Sequence, residues 1–168
     1  MSEHSERKII MDNETLYRMV KTPLGAGGDV GQVRKFNDVL IKFYRESNGN
    51  LEGDFATRLF FLLTTTGRRS GNRHTVPLGY VIVDGRTLAV ASSGGNARNP
   101  AWILNIVHDP RVHVEIAGEA YDTVAKIVGD DEYEALFTEV LKIKPQFAKY
   151  RTMTTRKIPL VDVSAARL

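Results

Sequence analysis

The spacing of apolar residues changes along the chain, and each change marks an element. Val33, Phe36, Leu40, Phe43 and Tyr44 recur at three- and four-residue intervals, which puts them on one face of a helix. Asn48-Gly49-Asn50 follows, residue types that tolerate the left-handed backbone of a helix end. From residue 59 the period changes: Leu59-Phe60-Phe61-Leu62-Leu63-Thr64-Thr65-Thr66 is a short run of strand formers and predicts a buried strand. Gly67-Arg68-Arg69-Ser70-Gly71 reads as a loop and His74–Val83 as the next strand. Asp84-Gly85 is a strong hairpin signal, and it leads into a third strand over Arg86–Ser92. Gly94-Gly95-Asn96 breaks the pattern. Asn99-Pro100 predicts a helix start, with Asn as the cap and Pro at the first helical position. Trp102, Ile103, Ile106 and Val107 would form the apolar face of that helix, which stops near Asp109-Pro110.

Arg111–Ala117 alternates, with Val112, Val114 and Ile116 apolar, the pattern of a half-buried strand. Gly118-Glu119 turns the chain into a strand over Tyr121–Val128. Asp130, Asp131 and Glu132 supply negative charge for a helix N-terminus. Tyr133, Leu136, Phe137, Val140 and Leu141 form its stripe, and Pro145 ends it. Ile158–Val163 is a final strand, and Pro159 places it at a sheet edge or at a strand start. Residues 1–22 read as a mobile arm with a helical turn around Glu14–Val20. Residues 23–31 read as a Gly-rich linker whose glycines miss the G-x-G-x-x-G spacing. The domain proper is then residues 32–168. About six strands are joined mainly by tight turns and short helices. Parallel neighbours need long crossovers, so the expected fold is α+β: a mostly antiparallel, partly closed barrel with an N-terminal helix and two flanking helices.

Composition narrows the chemistry. The 168 residues include no cysteine, which excludes a disulfide scaffold, a thiolate zinc site, an iron–sulfur cluster and a cysteine nucleophile. A net charge of +3 is too small for a strong molecular field, so anion binding must come from local clustering. That charge, with no recognition element, argues against a nucleic-acid partner. The polar N-terminus has no apolar signal-peptide core, and no apolar run approaches the ~20 residues that span a bilayer. The expectation is a soluble cytoplasmic protein, with peripheral contact at the inner face of the membrane left open. No long apolar seam is present, so monomer and homodimer both remain open.

Four groups of residues are candidates for function. Arg68, Arg69 and Arg73, with Ser70 and His74, lie within seven residues after the first strand. Such a loop either binds an anion through bidentate guanidinium contacts or is a solvated hairpin tip. Ser92-Ser93-Gly94-Gly95 precedes a helix N-terminus, where backbone donors attract anions. Trp102, the single tryptophan, is either a core residue or a ring platform. Phe147 and Tyr150 are three apart and can line one wall, with Lys144 and Tyr121 as candidate neighbours. The four histidines show no metal-ligand spacing, and no nucleophile elbow or Walker A loop occurs. A protein with anion contacts and a ring platform but no nucleophile leaves the chemistry to a cofactor.

Five separated blocks carry a resemblance. They are Leu62-Leu63-Thr64-Thr65-Thr66-Gly67-Arg68-Arg69-Ser70-Gly71, Pro77-Leu78, Ala91-Ser92-Ser93-Gly94-Gly95, Asn99-Pro100-Ala101-Trp102-Ile103-Leu104-Asn105, and Asp109-Pro110-Arg111-Val112. In this order, from about Phe36 to Val163, the chain resembles the deazaflavin-dependent nitroreductase family. The resemblance implies a split β-barrel of the flavin-binding type, an actinobacterial setting and coenzyme F-420, a 5-deazaflavin with a phosphate and an oligoglutamate tail. It implies hydride transfer from the reduced deazaflavin to quinones, activated enones or nitro compounds. By the same resemblance Arg68, Arg69 and Ser70 meet the tail and phosphate. His74, Thr75, Val76, Pro77, Leu78 and Gly79 line the groove. Val90, Ala91, Ser92 and Ser93 lie beside the ring and phosphate. Ala101, Trp102, Ile103, Leu104 and Asn105 continue the groove, with Trp102 at the ring, and Phe147 forms part of the wall. Ser92 and Tyr150 are the candidate catalytic hydroxyls, polarising the acceptor or supplying its proton. The chain departs from the family in carrying Ser93 where Lys is frequent and His74 where Arg is frequent. Lys144, Phe147 and Tyr150 stand where three tyrosines are frequent, which puts nitroimidazole-type acceptors in doubt. Two other readings remain: an FMN- or haem-binding split barrel, and a module that holds a flavin-like ligand without turnover.

Overall fold

The computed structural model describes residues 30–50 and 60–166. The expected arm, and the linker as far as residue 29, lie outside the described residues. Helix α1 spans Val30–Glu46 and buries Phe36, Leu40 and Tyr44 on Leu62. Its end turns through Asn48 and Gly49, with φ of 53° and 75°, as those residue types predict. Among the described residues the remaining α-helices are α2 (Ala101–His108), α3 (Asp130–Ile143) and α4 (Gln146–Thr152). Short α4 has no counterpart in the sequence reading.

Seven strands form one sheet: β1 (Phe60–Thr66), β2 (Arg73–Val83), β3 (Arg86–Val90), β4 (Arg111–Ile116), β5 (Glu119–Val124), β6 (Lys126–Ile127) and β7 (Leu160–Asp162). Their order is β5-β4-β1-β2-β3-β7-β6, and every pairing is antiparallel. Two features curl this sheet into a split barrel. First, β2 serves two halves. Arg73–Gly79 pairs with β1, and Tyr80–Val83 pairs with β3 on the other edge. Second, β5 runs into β6 through Ala125 alone, so the chain leaves one end of the sheet and joins the other. The predicted single strand over Tyr121–Val128 is therefore two. The Tyr121 hydroxyl donates to the Val163 carbonyl at 2.9 Å, and Thr123 Oγ1 to the Ser164 carbonyl at 2.9 Å, stitching this closing seam.

The strand β1 explains why its sequence is a continuous apolar run. Phe61 and Leu63 face the barrel interior, with Tyr80, Val112, Val114, Val161 and Val163. Leu62 faces outward under α1. Phe61, Leu62 and Leu63 are wholly buried, worth about 1.5–3 kcal/mol each in removed apolar surface. A second outer cluster packs Phe137, Val140 and Phe147 on Val81, Leu88, Val90 and Leu160. Pro159 marks a strand start: β7 lies between β3 and β6 and is not an edge.

Two details of α2 differ from the sequence reading. Pro100 occupies the cap with extended backbone (φ −62°, ψ 152°), and no side chain caps the helix. The Asn99 amide oxygen instead accepts from Arg156 Nη1 at 2.9 Å. On the buried face, Asn105 replaces Val107, which is 67% exposed.

Candidate functional site

The turn joining β1 to β2 is held from within and from behind. The Gly67 N–H donates to the Asn72 carbonyl at 2.7 Å, and the Gly71 N–H to the Gly67 carbonyl at 2.8 Å. Ser70 Oγ accepts from the Asn72 N–H at 3.1 Å and lies 3.5 Å from His74 Nε2. A Cβ on Gly67 would sit 2.7 Å from Ser70 Oγ and 2.8 Å from His74 Nε2, so glycine is what lets these side chains close over the turn. From α2, the buried Asn105 carboxamide accepts from the Arg68 N–H at 3.1 Å and donates to Thr65 Oγ1 at 3.0 Å. Both ends of Asn105 are spent on the protein, and what it delivers is the position of the Arg68 turn.

Arg68, Arg69 and Ser70 are exposed at this pinned turn. Their surroundings distinguish them from the structural arginines. Arg45, Arg86, Arg111 and Arg151 are each bonded to a carboxylate. Among the described residues, no ion pair involves Arg68, Arg69 or Arg73. Arg68 and Arg69, with no carboxylate partner on a turn fixed by a buried amide, can receive an external polyanion, whereas Arg73 begins β2 and lines a cavity with Asp109 and Asp122.

The sheet opens beside this turn. The β2–β3 ladder ends at Tyr80 with Ala89, while the opposite edge of β3 pairs with β7 over Leu88–Val90. Among the described residues, no strand pairs with the other edge of Arg73–Gly79. Pro77, which has no N–H to give, suits an open edge. Residues Thr75 to Gly79 are all half-buried, whereas Tyr80 and Val81 are buried. His74 is exposed at the outer end of the stretch.

Across the opening lies the end of β3. Val90, Ala91 and Ser92 are buried and Ser93 half-buried. Ser92 has right-handed backbone (φ −71°, ψ −34°), and Ser93 left-handed backbone (φ 47°). This succession turns consecutive N–H groups to one side and makes an anion-binding concavity. The Gly95 and Asn96 N–H groups are taken by the Ser92 and Ser93 carbonyls. Those of Ser92, Ser93 and Gly94 have no protein acceptor among the described residues. A serine held at positive φ costs about 1–3 kcal/mol and needs surroundings that impose it.

Arg156 bonds to carbonyls on both sides of Ser93, and sequence reasoning missed this residue. Its Nε donates to the Asn96 carbonyl at 2.8 Å, and its Nη2 to the carbonyls of Ser92 (2.8 Å) and Ala91 (3.2 Å). Nη1 donates to Asn99 Oδ1 and, at 3.4 Å, to the Lys157 carbonyl. Burial among these neutral acceptors lowers the pKa of the guanidinium. No motif surrounds Arg156, so nothing in the sequence singles it out.

The predicted site residues are linked only in part: the Arg68–Ser70 turn is tied to α2 through Asn105 and runs into the open edge of β2, and the Ser92–Ser93 loop follows β3. Ala101 and Leu104 are the exposed members of the α2 set. Trp102 is 6% exposed and packs in the barrel interior beside Ile103. Phe147 is 8% exposed within the outer cluster. Tyr150 is half-buried, its ring 5.9 Å from that of Phe147. The Tyr150 carbonyl and Met153 Cβ lie 3.4 and 2.8 Å from where a Gly95 Cβ would stand, so α4 abuts the Ser92–Gly95 turn. Tyr121 is not part of this wall. It packs against the barrel interior. Among the described residues, no cluster of His, Cys, Asp or Glu could hold a metal ion, and no helix is long and apolar enough to cross a membrane.

Fold and site together define a split-barrel protein with an exposed arginine turn beside an open sheet edge. Comparison with known proteins gives the class a family. The signature of the F-420H(2)-dependent quinone reductase family matches residues 37–164. An F-420H(2)-dependent quinone reductase of Mycobacterium tuberculosis is 29% identical over 134 residues, covering 77% of this chain and 88% of that protein. A solved F-420-H2-dependent reductase, FDR-A, is 34% identical with a TM-score of 0.57, covering 64% of this chain and 95% of its own. Another solved chain, described as a domain-swapped dimer, is 29% identical with a TM-score of 0.58 and covers 76% of this chain and 98% of its own. The chain belongs to the F-420H(2)-dependent quinone reductase family, and its cofactor is coenzyme F-420. The residues present fit that cofactor: unpaired guanidinium groups for its carboxylates, and free backbone N–H groups for its phosphate.

Proposed function

We propose that this protein transfers a hydride from reduced F-420 to an electron-poor acceptor, a quinone foremost, with activated enones and nitro compounds as further acceptors. Bound F-420H2 supplies the hydride. Arg68 and Arg69 hold the oligoglutamate tail through charge-assisted bonds. The Ser92, Ser93 and Gly94 N–H groups receive the phosphate. The edge of β2 from His74 to Gly79 lines one side of the ring, with Ala101 and Leu104 continuing the groove. A quinone that gains a hydride and one proton becomes a hydroquinone. The Tyr150 or Ser92 hydroxyl donates a hydrogen bond to the acceptor oxygen, and one of them or water supplies the proton. A hydroxyl without a carboxylate partner is a modest acid, so positioning carries much of the rate.

The observation that supports this reading most is the Arg68–Arg69 pair, free of carboxylates and pinned by Asn105 beside an open sheet edge. Arg68→Ala with Arg69→Ala is the test, read by titration with F-420 through the cofactor's own absorbance, with FMN as control. Charge-assisted bonds contribute about 1.5–3 kcal/mol each, less at an exposed turn. The double variant should therefore bind roughly 10- to 100-fold more weakly, with turnover at saturating cofactor little changed. Equal binding by the variant, or binding of FMN alone by the wild type, overturns the assignment.

A further inference from the structure

Arg156 is the described arginine most engaged with the protein, and none of its partners is an acid. Four of its five acceptors belong to the segment from Ala91 to Asn99. These groups approach the guanidinium from different sides, at Nε, Nη1 and Nη2. A planar fork can span them. An ammonium, with its donors at one point, cannot. The charge also stays on, because guanidinium does not deprotonate in proteins.

The segment it grips contains left-handed Ser93, Gly94 and Gly95, with φ of 47°, 61° and 81°. The same C-terminal stretch carries Tyr150 and, just past α4, Met153, which leave no room for a side chain at Gly95. One short piece of chain therefore supplies both the Tyr150 wall and the clamp behind the loop.

We propose that Arg156 is a positioning residue: its fork holds the Ser92–Asn99 loop in the shape that receives the cofactor's anionic groups, and ties that loop to the Tyr150 wall. The inference rests on the reading of this groove as the F-420 site.

The test compares wild type, Arg156→Lys and Arg156→Gln. Arg86→Lys serves as control, since that fork binds Glu132 and Asp162 and not the loop. In cofactor-free protein, hydrogen exchange at the bonded Ala91, Gly95 and Asn96 amides should rise about tenfold or more in both Arg156 variants. Exchange at Phe61–Leu63 should stay unchanged. The F-420 Kd should rise about tenfold or more, while kcat at saturating cofactor stays within about threefold of wild type. Arg86→Lys should alter neither the loop nor the Kd. Asn99→Ala removes one acceptor and leaves Arg156 in place, so it should raise exchange in the same segment to a smaller degree even if the Arg156 variants fold poorly. Unchanged loop exchange overturns the proposal. So does an Arg156→Lys chain that binds F-420 as tightly as wild type. A uniform rise in exchange across the barrel, with Kd worsening only in step with the unfolded fraction, also overturns it. A wild-type chain that fails to bind F-420 sinks the functional reading instead, and the exchange data then decide the clamp by themselves.

Discussion

Replacing Asn105 by leucine removes the link between α2 and the arginine turn at nearly constant volume. Two hydrogen bonds go: the Arg68 N–H to Oδ1 and Nδ2 to Thr65 Oγ1. The two orphaned groups are not equivalent. Thr65 is 1% exposed, so water cannot reach its hydroxyl, and an unsatisfied buried group costs about 1–3 kcal/mol. The Arg68 N–H is only part-buried and turns partly to solvent, costing about 0.5–1.5 kcal/mol. The sum is a loss of about 1.5–4.5 kcal/mol, measured as a shift of the urea midpoint at constant m-value. Adding Thr65→Val removes the orphaned hydroxyl without changing shape and should recover about 1–2 kcal/mol. Function should suffer in both variants, because the turn loses its anchor. Ordering one backbone residue anew costs about 1–2 kcal/mol, so F-420 affinity should fall roughly tenfold. A destabilisation below about 0.5 kcal/mol, or a double variant whose losses simply add, would refute the argument that Asn105 is a buried pin.

Two further outcomes follow from the packing and the charges. Gly95→Ala forces a Cβ to within 2.8 Å of Met153 Cβ at φ +81°; it should cost about 1–3 kcal/mol and weaken F-420 binding, and a neutral thermal melt would contradict it. Glu115 is held below its ordinary pKa of 4.5 first by the fork of Arg45. A depressed carboxylate pKa adds stability that is present above the ordinary value and lost as pH falls through the folded one. Glu115→Gln should thus lower stability at pH 7, by less than about 1 kcal/mol for a half-exposed pair. That difference should vanish below the depressed pKa, and urea midpoints that differ equally at neutral and strongly acid pH would exclude the linkage.

Local chemistry made most elements legible. Asp84 and Gly85 turn the β2–β3 hairpin through φ of 51° and 74°, as their residue types require, because a two-residue turn depends on nothing distant. The stripe Tyr133, Leu136, Phe137 and Val140 is buried on α3, because a helix period encodes its own face. The arginine turn and the Ser92–Ser93 loop were visible as candidate anion sites for the same reason: charge and hydroxyl density are local properties.

What failed were inferences about which distant group would compete. Asn99 has the right type and place for a helix cap, yet Arg156, 57 residues on, takes its side chain. Val107 fits the apolar period of α2, yet Asn105 is buried instead, because Thr65 and the Arg68 N–H across the barrel satisfy its carboxamide. Trp102 stood open as core or platform, and the barrel interior closed around it.

The sequence by itself determined most of the strands, the hairpins, the antiparallel class and the family, all readable from period, turn chemistry and ordered blocks. Only the tertiary structure decided where β2 changes partners, which edge stays open, and that Arg156 stands behind the loop. The physical reason is that period and turn type depend on neighbours in the chain, whereas an open edge, a pinned turn and a clamp depend on which remote groups fold next to one another.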